Sequence, residues 1–127
     1  MSYAFQPEDP VQHGYGITSW QMRELRLVLL EAGAIAGDGL ERIFGNARFA
    51  PGPETVPVAM FSSNDGWRIS PQRCAFIASR LRAALDAGLI GDMALFYEDQ
   101  SPDLPAWVTE FAAFNERAAA WGGYRVR

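Results

Sequence analysis

The sequence predicts an α+β fold: three main helices around a small antiparallel sheet made of a hairpin and a C-terminal strand, with an all-α bundle as the alternative. Three observations carry this expectation. Ser70-Pro71 opens a run in which Cys74, Ile77, Ala78, Leu81, Ala84 and Leu85 recur at helical spacing before Gly88. A serine N-cap, proline at the first helical position and glycine just past the end are favoured helix start and stop signals. Asn64-Asp65-Gly66 separates two short apolar runs, residues 56–61 and 67–69, and these residue types tolerate the positive φ of a tight hairpin turn. Finally, Tyr124-Arg125-Val126-Arg127 alternates after Gly122-Gly123, as a strand completing a three-stranded sheet would.

In chain order, residues 1–16 contain two prolines, His13 and Gly14-Tyr15-Gly16 and read as an extended arm, with Tyr3, Phe5 and Tyr15 available to dock it. The first helix starts at Thr18 or Ser19, because Thr18-x-x-Gln21 has capping-box form. Met22, Leu25, Val28, Leu29 and Ala32 share one face, and Trp20, Leu27 and Leu30 lie on another. A helix apolar on both sides is expected at the centre of the fold. Gly33 or Gly37 ends it, and Asp38 is placed to cap a short helix through Leu40, Ile43 and Phe44. Pro51-Gly52-Pro53 makes residues 47–56 a loop. Residues 56–61 read as a strand held near a sheet edge by Pro57. Residues 89–100 show no clean period and read as an irregular segment or a short helical turn. Ser101-Pro102 then repeats the serine-proline opening, and Leu104, Trp107, Phe111, Phe114, Ala118 and Trp121 form a broad aromatic stripe on one helix face.

With 127 residues and 49% apolar side chains, the chain suits a single globular domain able to bury roughly two-thirds of its unfolded surface. The net charge of −4 has the wrong sign for a protein that neutralises phosphates, so no nucleic acid is expected as partner. All eleven basic residues are arginine, which fits either carboxylate recognition or an arginine-rich codon usage. The single cysteine allows no intrachain disulfide and no cysteine-built zinc site, which suits a cytoplasmic location. The first residues lack a basic-then-apolar leader, and no run approaches a membrane span, so neither export nor membrane attachment is expected.

The ordered set Asn64-Asp65-Gly66-Trp67-x-Ile69, Cys74-x-x-Ile77-Ala78-x-x-Leu81, Trp107-x-x-x-Phe111-x-x-Phe114 and Gly122-Gly123-Tyr124-x-Val126 resembles a group of small uncharacterised bacterial and phage proteins. These share an NDG turn, an amphipathic helix, an F-x-x-F helix and a GGF or GGY ending. The resemblance covers about the second half of the chain. It implies the element boundaries and no catalytic residue.

Candidate chemistry is sparse. His13 is the only histidine, in the arm beside Tyr15; it is a possible general base or simply a surface residue. Cys74 lies on the apolar stripe of its helix, where a thiol is inert. Asn64 and Asp65 are candidate metal or substrate ligands because turns present carboxylates freely, but turn formation alone accounts for them. Neither an EF-hand nor a phosphate-cradling glycine loop is present, and no metal or cofactor is expected. Charge is segregated along the chain: residues 67–85 carry only Arg68, Arg73, Arg80 and Arg82, whereas the charges in residues 86–116 are all acidic. Either these form faces for oppositely charged partners or the two segments pair with each other.

The leading expectation is a non-enzymatic cytoplasmic interaction or accessory protein that binds another macromolecule, with Arg73, Arg80 and Arg82 as candidate partner-binding residues. A homodimer joined through exposed aromatics is a further expectation. The alternative is a small-ligand binder or enzyme with a site between the arm and the turn, formed by His13, Tyr15, Asn64, Asp65 and Arg68.

Overall fold

The computed structural model describes residues 2–63, 65–96 and 102–127. Asn64 and Ser101, named above, lie outside them. The fold is α+β: a four-stranded antiparallel sheet with four main helices rather than three. The all-α alternative is thereby excluded.

The sheet has the order β2-β1-β6-β5. Its first two strands come from residues expected to form a loose arm. β1 (Ser2–Pro7) and β2 (Tyr15–Thr18) form a hairpin with Phe5 opposite Tyr15 and Ser2 opposite Thr18. The period-two signal lies in Tyr3-Ala4-Phe5: Tyr3 and Phe5 are buried, while Ser2 and Gln6 face out. β6 (Tyr124–Val126) adds to β1 with Phe5 opposite Val126. β5 (Trp67–Ile69) adds to β6 with Trp67 opposite Val126.

The expected hairpin between residues 56–61 and 67–69 does not form, although the expected pairing of residues 67–69 with the C-terminal strand does. Residues 56–57 make a two-residue strand, β4, parallel to β3 (Ile35–Ala36), and Val58–Phe61 turns as a 3-10 helix that drives Phe61 into the core. Pro57 has no N–H to donate to a longer ladder.

Helix α1 (Ser19–Glu31) starts as expected: the Thr18 hydroxyl accepts from the Gln21 amide at 3.1 Å and the Gln21 side chain accepts from the Thr18 amide at 2.9 Å. It ends at Gly33, which has a φ of 73° and sits where any Cβ would strike the Phe49 carbonyl oxygen. Helix α2 (Pro71–Asp86) has Ser70 as its N-cap, accepting from the Arg73 amide at 3.3 Å. Residues 89–96 take the helical of the two expected forms, at about two turns: helix α3 (Leu89–Phe96), which buries Leu89, Ile90 and Met93. Helix α4 (Leu104–Ala119) packs against α2 more extensively than any other pair of elements meets.

The inner face of the sheet meets α4 through aromatic rings. Phe5 lies 5.0 Å from Phe111 and 5.6 Å from Tyr124, and Phe114 lies 5.2 Å from Tyr124, centroid to centroid. One polar device is buried among them: the Tyr124 hydroxyl donates to Asn115 Oδ1 at 2.9 Å, and Asn115 Nδ2 donates to the Phe111 carbonyl at 2.9 Å. Gly123, at φ 88°, lets the chain pass so close to β5 that a Cβ there would meet the Ile69 carbonyl oxygen.

Candidate functional site

The expected short helix over residues 38–44 is absent. These residues instead form an irregular strap beside the C-terminal end of α1. Two features replace the helix. Gly39 takes a φ of 79°, outside helical geometry. The buried carboxylate of Glu31, in the last turn of α1, accepts from the backbone amides of Ile43 and Phe44, the latter at 3.2 Å. A carboxylate holding two amides is a charge-assisted clamp. It fixes the strap while leaving the side chains of Leu40, Ile43 and Phe44 outside the core.

Between the strap and α1 runs an open groove of about 650 Å3. Its floor and walls are Trp20, Leu27 and Leu30 from α1, Leu40 and Ile43 from the strap, and Ile35 and Val58 from the β3–β4 region. Helix α1 is therefore not covered on both sides, as its sequence suggests. Met22, Leu25, Val28 and Leu29 are buried, but the Trp20/Leu27/Leu30 face lines a surface groove. The charges in it are Arg23, Glu24, Arg26 and Asp38. The Arg23 guanidinium lies over the Trp20 ring at 5.5 Å, and Arg26 Nη1 donates to the Phe61 carbonyl at 2.9 Å.

The apolar surface continues past the strap. The Phe44 ring meets Phe96 edge-on at 5.5 Å, and Leu95 precedes Phe96 at the end of α3. Among the described residues, eight large apolar side chains are exposed, and Trp20, Leu40, Ile43, Phe44, Leu95 and Phe96 all belong to this stretch. Val11 is in the β1–β2 loop and Trp67 on β5. Single exposed apolar residues are ordinary, whereas a contiguous set marks a contact surface.

Of the residues expected to form a ligand site, His13 and Asp65 are held apart. The strand register puts the β1–β2 loop carrying exposed His13 beyond one end of the sheet, and Asp65, just before β5, beyond the other. Tyr15 points into the body: its hydroxyl donates to Glu110 at 3.3 Å, and burial, reinforced by that carboxylate, pushes its pKa up to about 12. Arg68 stands on the outer sheet face, 3.7 Å from Glu8 and donating to the Gly122 carbonyl at 3.3 Å.

The arginines of α2 likewise turn back onto the protein. Arg73 approaches Met60 Sδ at 3.7 Å, Arg80 stacks over Phe76 at 4.9 Å, and Arg82 pairs with Glu116 of α4 at 2.7 Å. That last pair joins the basic segment to the acidic one, so charges separated in sequence meet in space. Cys74 is fully buried, and burial pushes its thiol up to about 12.

Among the described residues, no cluster of three or more His, Cys, Asp or Glu side chains is placed to hold a metal ion, and no helix is long and apolar enough to cross a membrane. Comparison with family models, curated proteins and solved structures finds no match.

The groove residues were individually visible in the sequence but assigned to other roles. Trp20, Leu27 and Leu30 read as a second covered face of α1, and Leu40, Ile43 and Phe44 as part of a short helix. The usable signal was a pair of apolar sets flanking Gly37-Asp38-Gly39, one more apolar face than a chain of this size must bury.

Proposed function

We propose that this protein is an interaction module that binds another protein through the groove between α1 and the strap and the apolar surface continuing to Phe96. The observation that carries this reading is the gathering of Trp20, Leu40, Ile43, Phe44, Leu95 and Phe96 on one stretch of surface around a groove. Several features fit it. The strap is pinned in place by Glu31 before any partner arrives, so little backbone ordering opposes binding. A tryptophan lies in the groove and carries an arginine over its ring, and these two residue types dominate the energetics of protein interfaces. Charges at the margins supply orientation in addition to apolar contact.

The test is site-specific photocrosslinking in living cells of the source organism. A benzophenone side chain at position 40 or 43 is expected to give a discrete protein adduct, and the same probe at exposed position 11 is expected to give none. Absence of any adduct from positions 40 and 43, or the same adduct from position 11, overturns the reading.

A further inference from the structure

We infer that the occupant of this surface is a second copy of the same chain, docked antiparallel about a twofold axis so that the Leu95/Phe96 knob of each copy covers the Trp20 end of the other's groove. The inference rests on the reading that this surface binds protein, and it names the partner.

The surface has two different ends. Trp20 and Leu30 are about 15 Å apart along α1 at 1.5 Å per residue, and Glu31 joins the strap to the helix just beyond Leu30. The Phe44–Phe96 contact then places the end of α3 near that same end of α1, away from Trp20. One end is thus a groove floored by Trp20 and Leu27, and the other is a projecting pair, Leu95 at 87% and Phe96 at 57% exposure. A twofold axis through the middle brings the ends together twice, as an isologous interface requires.

The charges at the two ends are opposite. Arg23 stands at the groove end, in ring contact with Trp20 alone. Asp92 is exposed on α3 one helical turn before Phe96, on the same helix face. Neither makes an ion pair within the chain among the described residues. The antiparallel arrangement sets Arg23 of each copy against Asp92 of the other, forming two symmetric pairs. A parallel arrangement would set like charges together. The six exposed apolar side chains at their observed exposures offer on the order of 600 Å2, which the charged margins extend toward the ~800 Å2 per partner of a standard interface.

Light scattering and analytical ultracentrifugation on the full chain test this. The wild type is expected at twice its 14.0 kDa chain mass at tens of micromolar. Leu95→Glu and Arg23→Asp are each expected to raise the dimer dissociation constant at least tenfold, and Arg23→Asp with Asp92→Arg is expected to recover most of it. Val11→Glu, on exposed surface elsewhere, is expected to leave the dimer intact, and circular dichroism confirms that each variant is folded. A monomeric wild type overturns the inference, as does a dimer indifferent to Leu95→Glu or a charge swap that does not rescue. A monomer whose position-43 crosslink captures a different protein overturns self-docking while leaving the interaction reading standing; no crosslink at all removes both.

Discussion

The side of the molecule where the sheet meets α2 and α4 and the side where α1 meets the strap both carry aromatic and aliphatic side chains, yet they differ in what covers them. On the sheet side, Phe5, Phe111, Phe114 and Tyr124 are at most 1% exposed, and two fully buried polar groups among them, Asn115 and the Tyr124 hydroxyl, are hydrogen-bonded to each other. On the α1 side, Trp20, Leu40 and Ile43 are each close to half exposed, and one of the buried carboxylates there, Glu31, holds a segment out from the core. The first arrangement stabilises the fold. The second leaves apolar surface available at a fixed geometry, which is what a binding surface needs. The lesson is that apolar content does not separate core from interface; closure by a second layer does.

The two regions should therefore respond in opposite ways to similar substitutions. Phe114→Ala is expected to cost about 3–5 kcal/mol, measured by urea unfolding; a loss below about 1 kcal/mol would mean the aromatic cluster is not closed. Tyr124→Phe leaves Asn115 Oδ1 buried without its donor and is expected to cost about 1–3 kcal/mol in the same measurement. Glu31→Ala strips the acceptor from the Ile43 and Phe44 amides. The expected outcome is a cost of about 1–2 kcal/mol, together with faster hydrogen exchange at those two amides and unchanged exchange in β1 and β6. Uniform loss of protection would instead show that the strap and the sheet side unfold as one unit.

Ile43→Ser, at a concentration where the chain is monomeric, should change stability by no more than about 0.5 kcal/mol, although Ile43 is as apolar as any core residue. A large loss would mean that the groove is structural. The smallest effect belongs to the exposed Arg82–Glu116 pair. The hydrogen bond from Arg82 holds the Glu116 carboxyl below the usual carboxylate range, so its contribution is present above the unfolded value and is lost as pH falls through the folded one. Glu116→Gln should thus be less stable than wild type by about 0.5 kcal/mol at pH 7, and the two melting curves should converge below pH ~4.

Local signals were legible wherever the responsible chemistry spans a few residues. The Thr18/Gln21 capping box, the Ser70-Pro71 helix start and the strand after Gly122-Gly123 were all readable because each depends on neighbours within one turn. The relation between His13 and Asp65 was not legible for the opposite reason: they are distant in sequence, and strand register, which single residues do not encode, sends them to opposite ends of the sheet. The basic stretch of α2 was read correctly as a cluster in sequence, but Arg82 finds Glu116 only once α2 and α4 have packed.

By itself, the sequence determined the α+β class, the ends of α1 and α2, the burial of Cys74 and the strand at the C-terminus, because caps, glycine stops and hydrophobic period act over short range. Only the tertiary structure decided that residues 2–18 supply half of the sheet, that Val56 pairs with Ile35 and not with β5, and that one face of α1 is left open. A helix with two apolar faces is equally satisfied by a covering layer or by a partner. Which one it receives depends on where the strap is anchored, and a single carboxylate, Glu31, anchors it.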